Sequence, residues 1–431
     1  MDDLHARARQ LKNTKEFSEA INIYEKIWFK KNNNKWLGWE YAYCLKQINE
    51  ITKAIAVCKA TFLIDKKFNM NNDLMAWCVY EKYFKEKKEE YSAHEIENLE
   101  LVGESIISLI DQSEKTAYEP IIFSLIAIYK KKGDKKSHTK IIEWLDKLDV
   151  NSLNNKNISF KDSRGNDMEL QSRKEEYYSL RSKSLLILEC YEECISCCEE
   201  AEELIDKFHY DNDIWIEARK CYAYGMLGEY DKAIFGMKKL IVKKNHWSLL
   251  FNIAQIYDIL GEAETSLLYC YKAFLTKDPD KMKVKVIYFV AQKLMDLGEH
   301  ELANMHYLYC KQIREENNWT ISEQLETVVK NISDSDISIS PFEMIRIWLN
   351  EVKSKSEVYY GKVSRILPNK RNGFISYGKK SVFFKVNETF GKGRVKENTN
   401  VSFIIEDSYD IAKKRETKEA KYVEIVEKAC N

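Results

Sequence analysis

Up to about residue 356 the apolar positions recur every three or four residues, and breakers are few: the whole chain holds 4 Pro and 14 Gly. That pattern predicts long amphipathic helices with short connections. After residue 357 the period shortens to two. Asn372-Gly373-Phe374-Ile375 and Val382-Phe383-Phe384-Lys385 are strand-like runs of aromatic and β-branched residues. A polar turn, Ser376 to Ser381, separates them and carries Gly378. Alternation sets Phe374 and Phe383 on one exposed face and turns Ile375, Val382 and Phe384 inward.

The helical part repeats itself. In Cys221 to Ala233 a helix ends at Gly228, and the next begins with acidic residues and brings a small residue, Ala233, against the first. The frame returns at Gly261 with Ser266, at Gly298 with Ala303, at Leu11, Phe17 and Ala20, and at Leu45 and Ala54. The small residues step by 34, 33 and 37. This resembles the tetratricopeptide repeat, which implies helix pairs stacked into a solenoid whose concave face holds a protein or peptide. Weaker copies lie around Gly133 with His138 and Tyr191 with Cys194, and the register of 73–111 stays open. Residues 151–172 are expected to be a polar insertion between helical segments 1–150 and 173–356. Ser340-Pro341-Phe342-Glu343 is a helix start and opens the last helix of the solenoid. The linker after it, Lys353 to Ser356, is short enough to seat the next domain against the solenoid end, and a cut near Ser354 should give two independently folding pieces.

Residues 357–431 follow a second pattern. The order Gly361-Lys362-Val363, Lys370, Gly373-Phe374-Ile375, Val382-Phe383, Val401-Ser402-Phe403 and Ala420-Lys421-Tyr422-Val423 resembles a cold-shock domain. The resemblance implies a five-stranded barrel of the OB type that binds single-stranded RNA or DNA by stacking, without catalysis. Three of the family's ring positions are replaced here, by Arg365, Asn372 and Lys385. Arginine can still stack through its guanidinium plane. The expected contacts are therefore Lys362, Arg365, Lys370, Arg371, Phe374, Tyr377, Lys379, Phe383 and Lys385, leaning on phosphate more than on stacking.

Charge sharpens that picture. The 431-residue chain is neutral overall, 68 Lys+Arg against 68 Asp+Glu. Residues 357–396 hold 10 basic and 2 acidic residues, a net +8, and 357–431 a net +6, which leaves −6 elsewhere. A basic segment on a neutral-to-acidic carrier is the footprint of a nucleic-acid module. Eleven cysteines spread through helical segments do not read as a disulfide framework. No apolar leader or membrane-length run is visible, so a cytoplasmic protein of a reducing compartment is expected, with a low-GC bacterial composition and no membrane partner.

Other constellations fall away on physical grounds. Cys190, Cys194, Cys197 and Cys198 lie along one helix, which cannot wrap four sulfurs round a metal ion, so they read as packing residues. Gly373 to Lys380 nearly spells a phosphate-binding loop, but strand formers fill it and no helix follows. No histidine pair or nucleophile frame argues for an enzyme, and no cofactor is called for. Lys130 to Lys132, with Lys135 and Lys136, are helix-end lysines that could extend a nucleic-acid path. The sequence thus predicts a multidomain α + β chain, a tetratricopeptide-like α-solenoid followed by a cold-shock-like barrel. Its expected role is a non-enzymatic adaptor that binds single-stranded nucleic acid, RNA ahead of DNA, and a protein partner. The alternatives are a scaffold whose barrel has lost its ligand, and an accessory subunit of a bacterial regulatory or defence complex that brings nucleic acid to a separate enzyme.

Overall fold

A computed structural model describes residues 2–30, 33–332, 338–410 and 415–426. Two compact units, Met1–Ile216 and Glu217–Asn431, divide the chain. The first carries α1 (Asp2–Asn13), α2 (Phe17–Lys30), α3 (Lys35–Gln47), α4 (Ile51–Ile64), α5 (Asn69–Tyr83), α6 (Ala93–Ile107), α7 (Tyr118–Lys132) and α8 (Lys135–Leu145). The strands β1 (Ile158–Lys161) and β2 (Asp167–Leu170) follow, then α9 (Arg173–Ile187) and α10 (Tyr191–Leu204). Helix α11 (Asn212–Met226) carries the chain past the division. The second unit holds α12 (Tyr230–Lys243), α13 (Trp247–Ile259), α14 (Ala263–Phe274), α15 (Val284–Asp296), α16 (His300–Glu316), α17 (Glu323–Lys330) and α18 (Pro341–Ser354). Its strands are β3 (Val358–Ile366), β4 (Asn372–Tyr377), β5 (Lys380–Lys385), β6 (Thr389–Phe390), β7 (Asn400–Asp410) and β8 (Arg415–Ile425). Among the described residues no helix is long and apolar enough to cross a membrane.

The helices form a tetratricopeptide-like array, and one local geometry generates it. Ala20, Ala54, Ala233, Ser266 and Ala303 are all fully buried, where only a small side chain lets two helices approach. Five residues before each sits a left-handed residue: Lys15, Asn49, Gly228, Gly261 and Gly298. Gly133 before His138 and Glu189 before Cys194 keep the same offset. The next amide then folds back on the preceding helix, as in Glu229 N–H to Tyr224 O (2.9 Å) and Glu299 N–H to Leu294 O (2.9 Å). That bond satisfies a carbonyl the helix end would otherwise leave open.

Two segments gain definition beyond the pattern. In 73–111 a Ser92–Glu95 capping box opens α6 after a charged connection. The polar insertion contains an antiparallel hairpin, with Phe160 opposite Met168. Its turn is held by Asp162, whose carboxylate accepts from the Arg164 and Asn166 amides at 2.8 and 2.9 Å. Strands form there because Phe160, Met168 and Leu170 alternate with polar residues, although all three stay exposed.

The C-terminal strands close into a five-stranded mixed barrel in the order β5-β4-β3-β7-β8, with β5 and β8 joined in parallel. Val363, Ile375, Phe384, Val401 and Phe403 fill it, each fully buried. Glycine is required at Gly373, where a Cβ would lie 2.7 Å from the Arg365 carbonyl oxygen and 2.6 Å from the Phe384 ring. The barrel shares a second core with the helices. Ile404 and Tyr422 pack with Phe274, Trp348 and Val352 instead of filling the barrel. A register shift between Ser402 and Ile404 and a left-handed Tyr422 (φ 53°) turn these side chains outward. Ion pairs ring the contact: Lys272 Nζ donates to Glu406 at 2.5 Å, and Lys353 Nζ to Glu424 at 2.6 Å and to the Ser402 hydroxyl at 2.7 Å.

Candidate nucleic-acid interface

The face formed by β3, β4 and β5 can be laid out as a grid of paired residues. Arg365, Phe374 and Phe383 form one cross-strand row. Lys362, Ser376 and Ser381 form the row on one side of it, and Asn372 with Lys385 the row on the other. Phe374 and Phe383 are half-buried and meet edge to face, their centroids 5.9 Å apart. Strand pairing brings the rings together, because a directly opposed pair on one sheet face lies within contact distance. The bulge at Ser364, whose hydroxyl donates to the Phe374 carbonyl (3.1 Å), aims Arg365 at that row.

The basic residues frame the rings from two ends. Lys370 and Arg371 are exposed on the loop before β4, where the Asn369 side chain accepts from the Arg371 and Asn372 amides. Lys379 is exposed at the opposite end, in the turn beside Gly378. Among the described residues Lys362, Arg365, Lys370, Arg371 and Lys379 make no ion pair, whereas Lys385 is held by Glu388 (3.6 Å) and Glu419 (3.4 Å). Tyr377 differs from the other candidates. It leans on Phe403 and Tyr359, with centroids 5.5 and 5.6 Å away, and so belongs more to the rim of the core than to the row of rings.

Beside the rings runs a groove of about 1240 Å³. Phe374, Phe383 and Lys385 line one wall, the outer ends of β7 and β8 a second, and Val242 and Lys243 at the end of α12, with Asn245 just after it, a third. Sequence reasoning missed several of its residues, among them Lys380, Lys243 and Glu419. Lys380 carried a signal, since it sits beside Lys379 in the same basic segment. Glu419 and Lys243 reach the site only through the parallel β5–β8 closure and the docking of α12, for which local pattern offers no cue. Tyr360, 68 % exposed two residues before Lys362, was also missed, although alternation along β3 places it on that face.

The cysteines of α10 and the repeat-position histidine sit in packing roles. Cys194, Cys197 and Cys198 are buried in α10, and the Cys194 thiol donates to the Ser182 carbonyl (3.4 Å). His138 is buried with Nδ1 3.0 Å from the Ser184 hydroxyl.

Residues 214–334 match a family described as a domain of unknown function, DUF7017. No curated protein matches the chain. Solved structures similar to it include Naa15/Naa10 bound to HypK-THB, at 12 % identity and a TM-score of 0.38, over 82 % of this chain. The chain spans only 51 % of that one's length. A tetratricopeptide repeat protein from Parabacteroides merdae is similar at 11 % identity and a TM-score of 0.31, over 76 % of this chain and 97 % of its own. The human IFIT1 dimer with PPP-AAAA is similar at 11 % identity and a TM-score of 0.37, over 80 % of this chain and 79 % of its own.

Proposed function

We propose that the chain is a non-enzymatic adaptor that holds single-stranded nucleic acid, RNA ahead of DNA, on the β3–β4–β5 face of a cold-shock-like barrel, and a protein partner on its helical repeats. The observation that carries the nucleic-acid half is the Arg365–Phe374–Phe383 row, bordered by Lys362, Lys370, Arg371 and Lys379, four cations without acidic partners among the described residues. Bases stack on such rings whatever their identity, and the flanking cations answer the phosphates. Two rings and one guanidinium give a short stacking surface, so phosphate contacts supply most of the affinity and binding is steeply salt-dependent.

Fluorescence anisotropy of the full chain with a labelled single-stranded RNA of about twelve nucleotides at low ionic strength tests this. Phe374→Ala and Phe383→Ala should each cost about 1–3 kcal/mol of binding where a base stacks. Neutralising Lys362, Lys370 or Lys379 should weaken all sequences alike and lower the salt slope by about 0.7 each. Circular dichroism of each variant separates lost contact from lost fold. Absence of salt-dependent binding to any single-stranded RNA or DNA would leave the second reading, a protein scaffold. That reading is favoured by the use of Ile404 and Tyr422 to seat the barrel on helices.

A further inference from the structure

The groove beside the rings has a carboxylate in its floor. Glu419 is the register partner of Phe383 across the parallel β5–β8 closure, and only 2 % of it is exposed. One carboxylate oxygen, Oε2, accepts the Ser408 hydroxyl proton at 2.7 Å. The other, Oε1, is buried and receives no hydrogen bond among the described residues; Lys385 Nζ lies 3.4 Å from it. A buried acceptor left open at the lining of a groove is unusual, because buried polar groups nearly always find a donor. The two lysines nearest in sequence to Glu419 are occupied elsewhere: Lys421 faces Glu406 at 3.5 Å, and Lys418 pairs with Asp407.

We propose that Glu419 reads the base that stacks on Phe383, favouring nucleobases that present an exocyclic amino group. The inference rests on the nucleic-acid reading above and gives it a preference. Neighbouring strands lie about 4.8 Å apart, so a base stacked over Phe383 extends its edge across β8 above Glu419. A phosphate beside Phe383 draws the Lys385 ammonium away from the carboxylate, and the amino group takes its place on Oε1. Cytosine offers its N4 amino group there. Uracil offers a carbonyl oxygen at the same ring position, which a carboxylate repels. Oligo(C) and oligo(U) share backbone charge and pyrimidine stacking area, so their affinity ratio isolates this contact.

The test is anisotropy titration of the full chain with labelled oligo(C) and oligo(U) RNAs of equal length at neutral pH. The expected result is oligo(C) binding about five- to tenfold tighter, the discrimination of one charge-assisted base contact. Glu419→Gln should bring the ratio to about one while binding of oligo(U) persists, because an amide can accept from cytosine or donate to uracil. Lys385→Gln should weaken both ligands and leave the cytosine preference in place; a preference lost with the lysine would overturn the assignment to Glu419. Equal binding of the two RNAs by the native chain, or tighter binding of oligo(U), overturns the inference and leaves nucleic-acid binding standing. So does a folded Glu419→Gln variant that keeps the preference. Binding of neither RNA takes down the underlying function instead. If the glutamine variant fails to fold, the native ratio and the Lys385→Gln variant still put the inference at risk.

Discussion

His306 shows how a polar side chain can be kept neutral deep in a core. It is fully buried, its Nδ1 lies 2.8 Å from the Leu302 carbonyl, and its Nε2 accepts the Trp348 indole proton at 3.0 Å. Those contacts fix the tautomer with the proton on Nδ1. Burial pushes the imidazole pKa down to about 4, opposed only by the bond to the Leu302 carbonyl. Once unfolded, the same ring titrates near its ordinary value of about 6.5, so between the two pH values the unfolded chain takes up the proton first. The histidine's contribution is intact above about pH 6.5 and is lost as pH falls towards 4, about 3 kcal/mol in all. Glutamine can make the same two hydrogen bonds without titrating. The stability difference between the native chain and His306→Gln, from urea unfolding, should therefore shift by about 3 kcal/mol towards the variant between pH 7 and pH 4. A difference that stays constant with pH would mean that the ring titrates in the fold as it does in the unfolded chain. At this scale the sequence was legible where a local period rules: Phe374 and Phe383 meet because a short hairpin sets their register. It was silent on His306, whose partner Trp348 lies 42 residues away, and on Glu419, which faces Phe383 only after the barrel closes.

Among the elements, the helix–turn–helix frame was readable because four of its left-handed positions are glycines, which announce a helix end. The copies at Lys15, Asn49 and Glu189 lack the glycine and were legible only through their apolar and small residues, such as Ala20 and Ala54. A side chain with a Cβ is strained in that conformation, asparagine least. Lys15→Gly and Glu189→Gly should each stabilise the chain by about 0.5–1 kcal/mol, despite the greater freedom glycine has when unfolded. Equilibrium unfolding would register this as a higher denaturant midpoint at unchanged slope. The Lys135–Glu189 ion pair lost in the second variant spans 2.9 Å between exposed side chains, and such pairs add little. A fall in the midpoint for both variants would show that the turn is not the strained one described. The β1–β2 hairpin escaped sequence reading for a different reason. Its apolar residues Phe160, Met168 and Leu170 stay exposed, so the alternation serves no core, and the surrounding asparagines and glycine dominate the local composition.

The second unit, Glu217–Asn431, is one body because a single strand pair serves two cores. On β7, Phe403 fills the barrel while Ile404 enters the helical core; on β8, Val423 and Tyr422 divide in the same way. The short linker hinted at contact, but nothing in the local pattern marked Tyr422 as a residue that leaves its own domain. Half-buried Glu406 belongs to this junction. Burial alone would raise its pKa, yet Lys272 and Lys421 together hold it below the usual carboxylate value. Its contribution is present above the unfolded pKa and fades as pH drops through the lowered one. A barrel cut away near Ser354 keeps its own core but exposes Ile404 and Tyr422, so it should melt at a lower temperature than in the intact chain. Tyr422→Ala in the intact chain should cost about 3–5 kcal/mol, the usual toll for emptying an aromatic site. Both far-UV signals, helical and β, should move together in its thermal scan; a shift in only one would argue for two separately melting parts. The shared strands also make the second unit a relay. Whatever steadies β7 and β8 from the barrel side withholds the openings through which α14 and α18 exchange their amide protons. Reciprocity then requires that, if the barrel holds a ligand as proposed, a partner clamping those helices tighten that hold by the same factor.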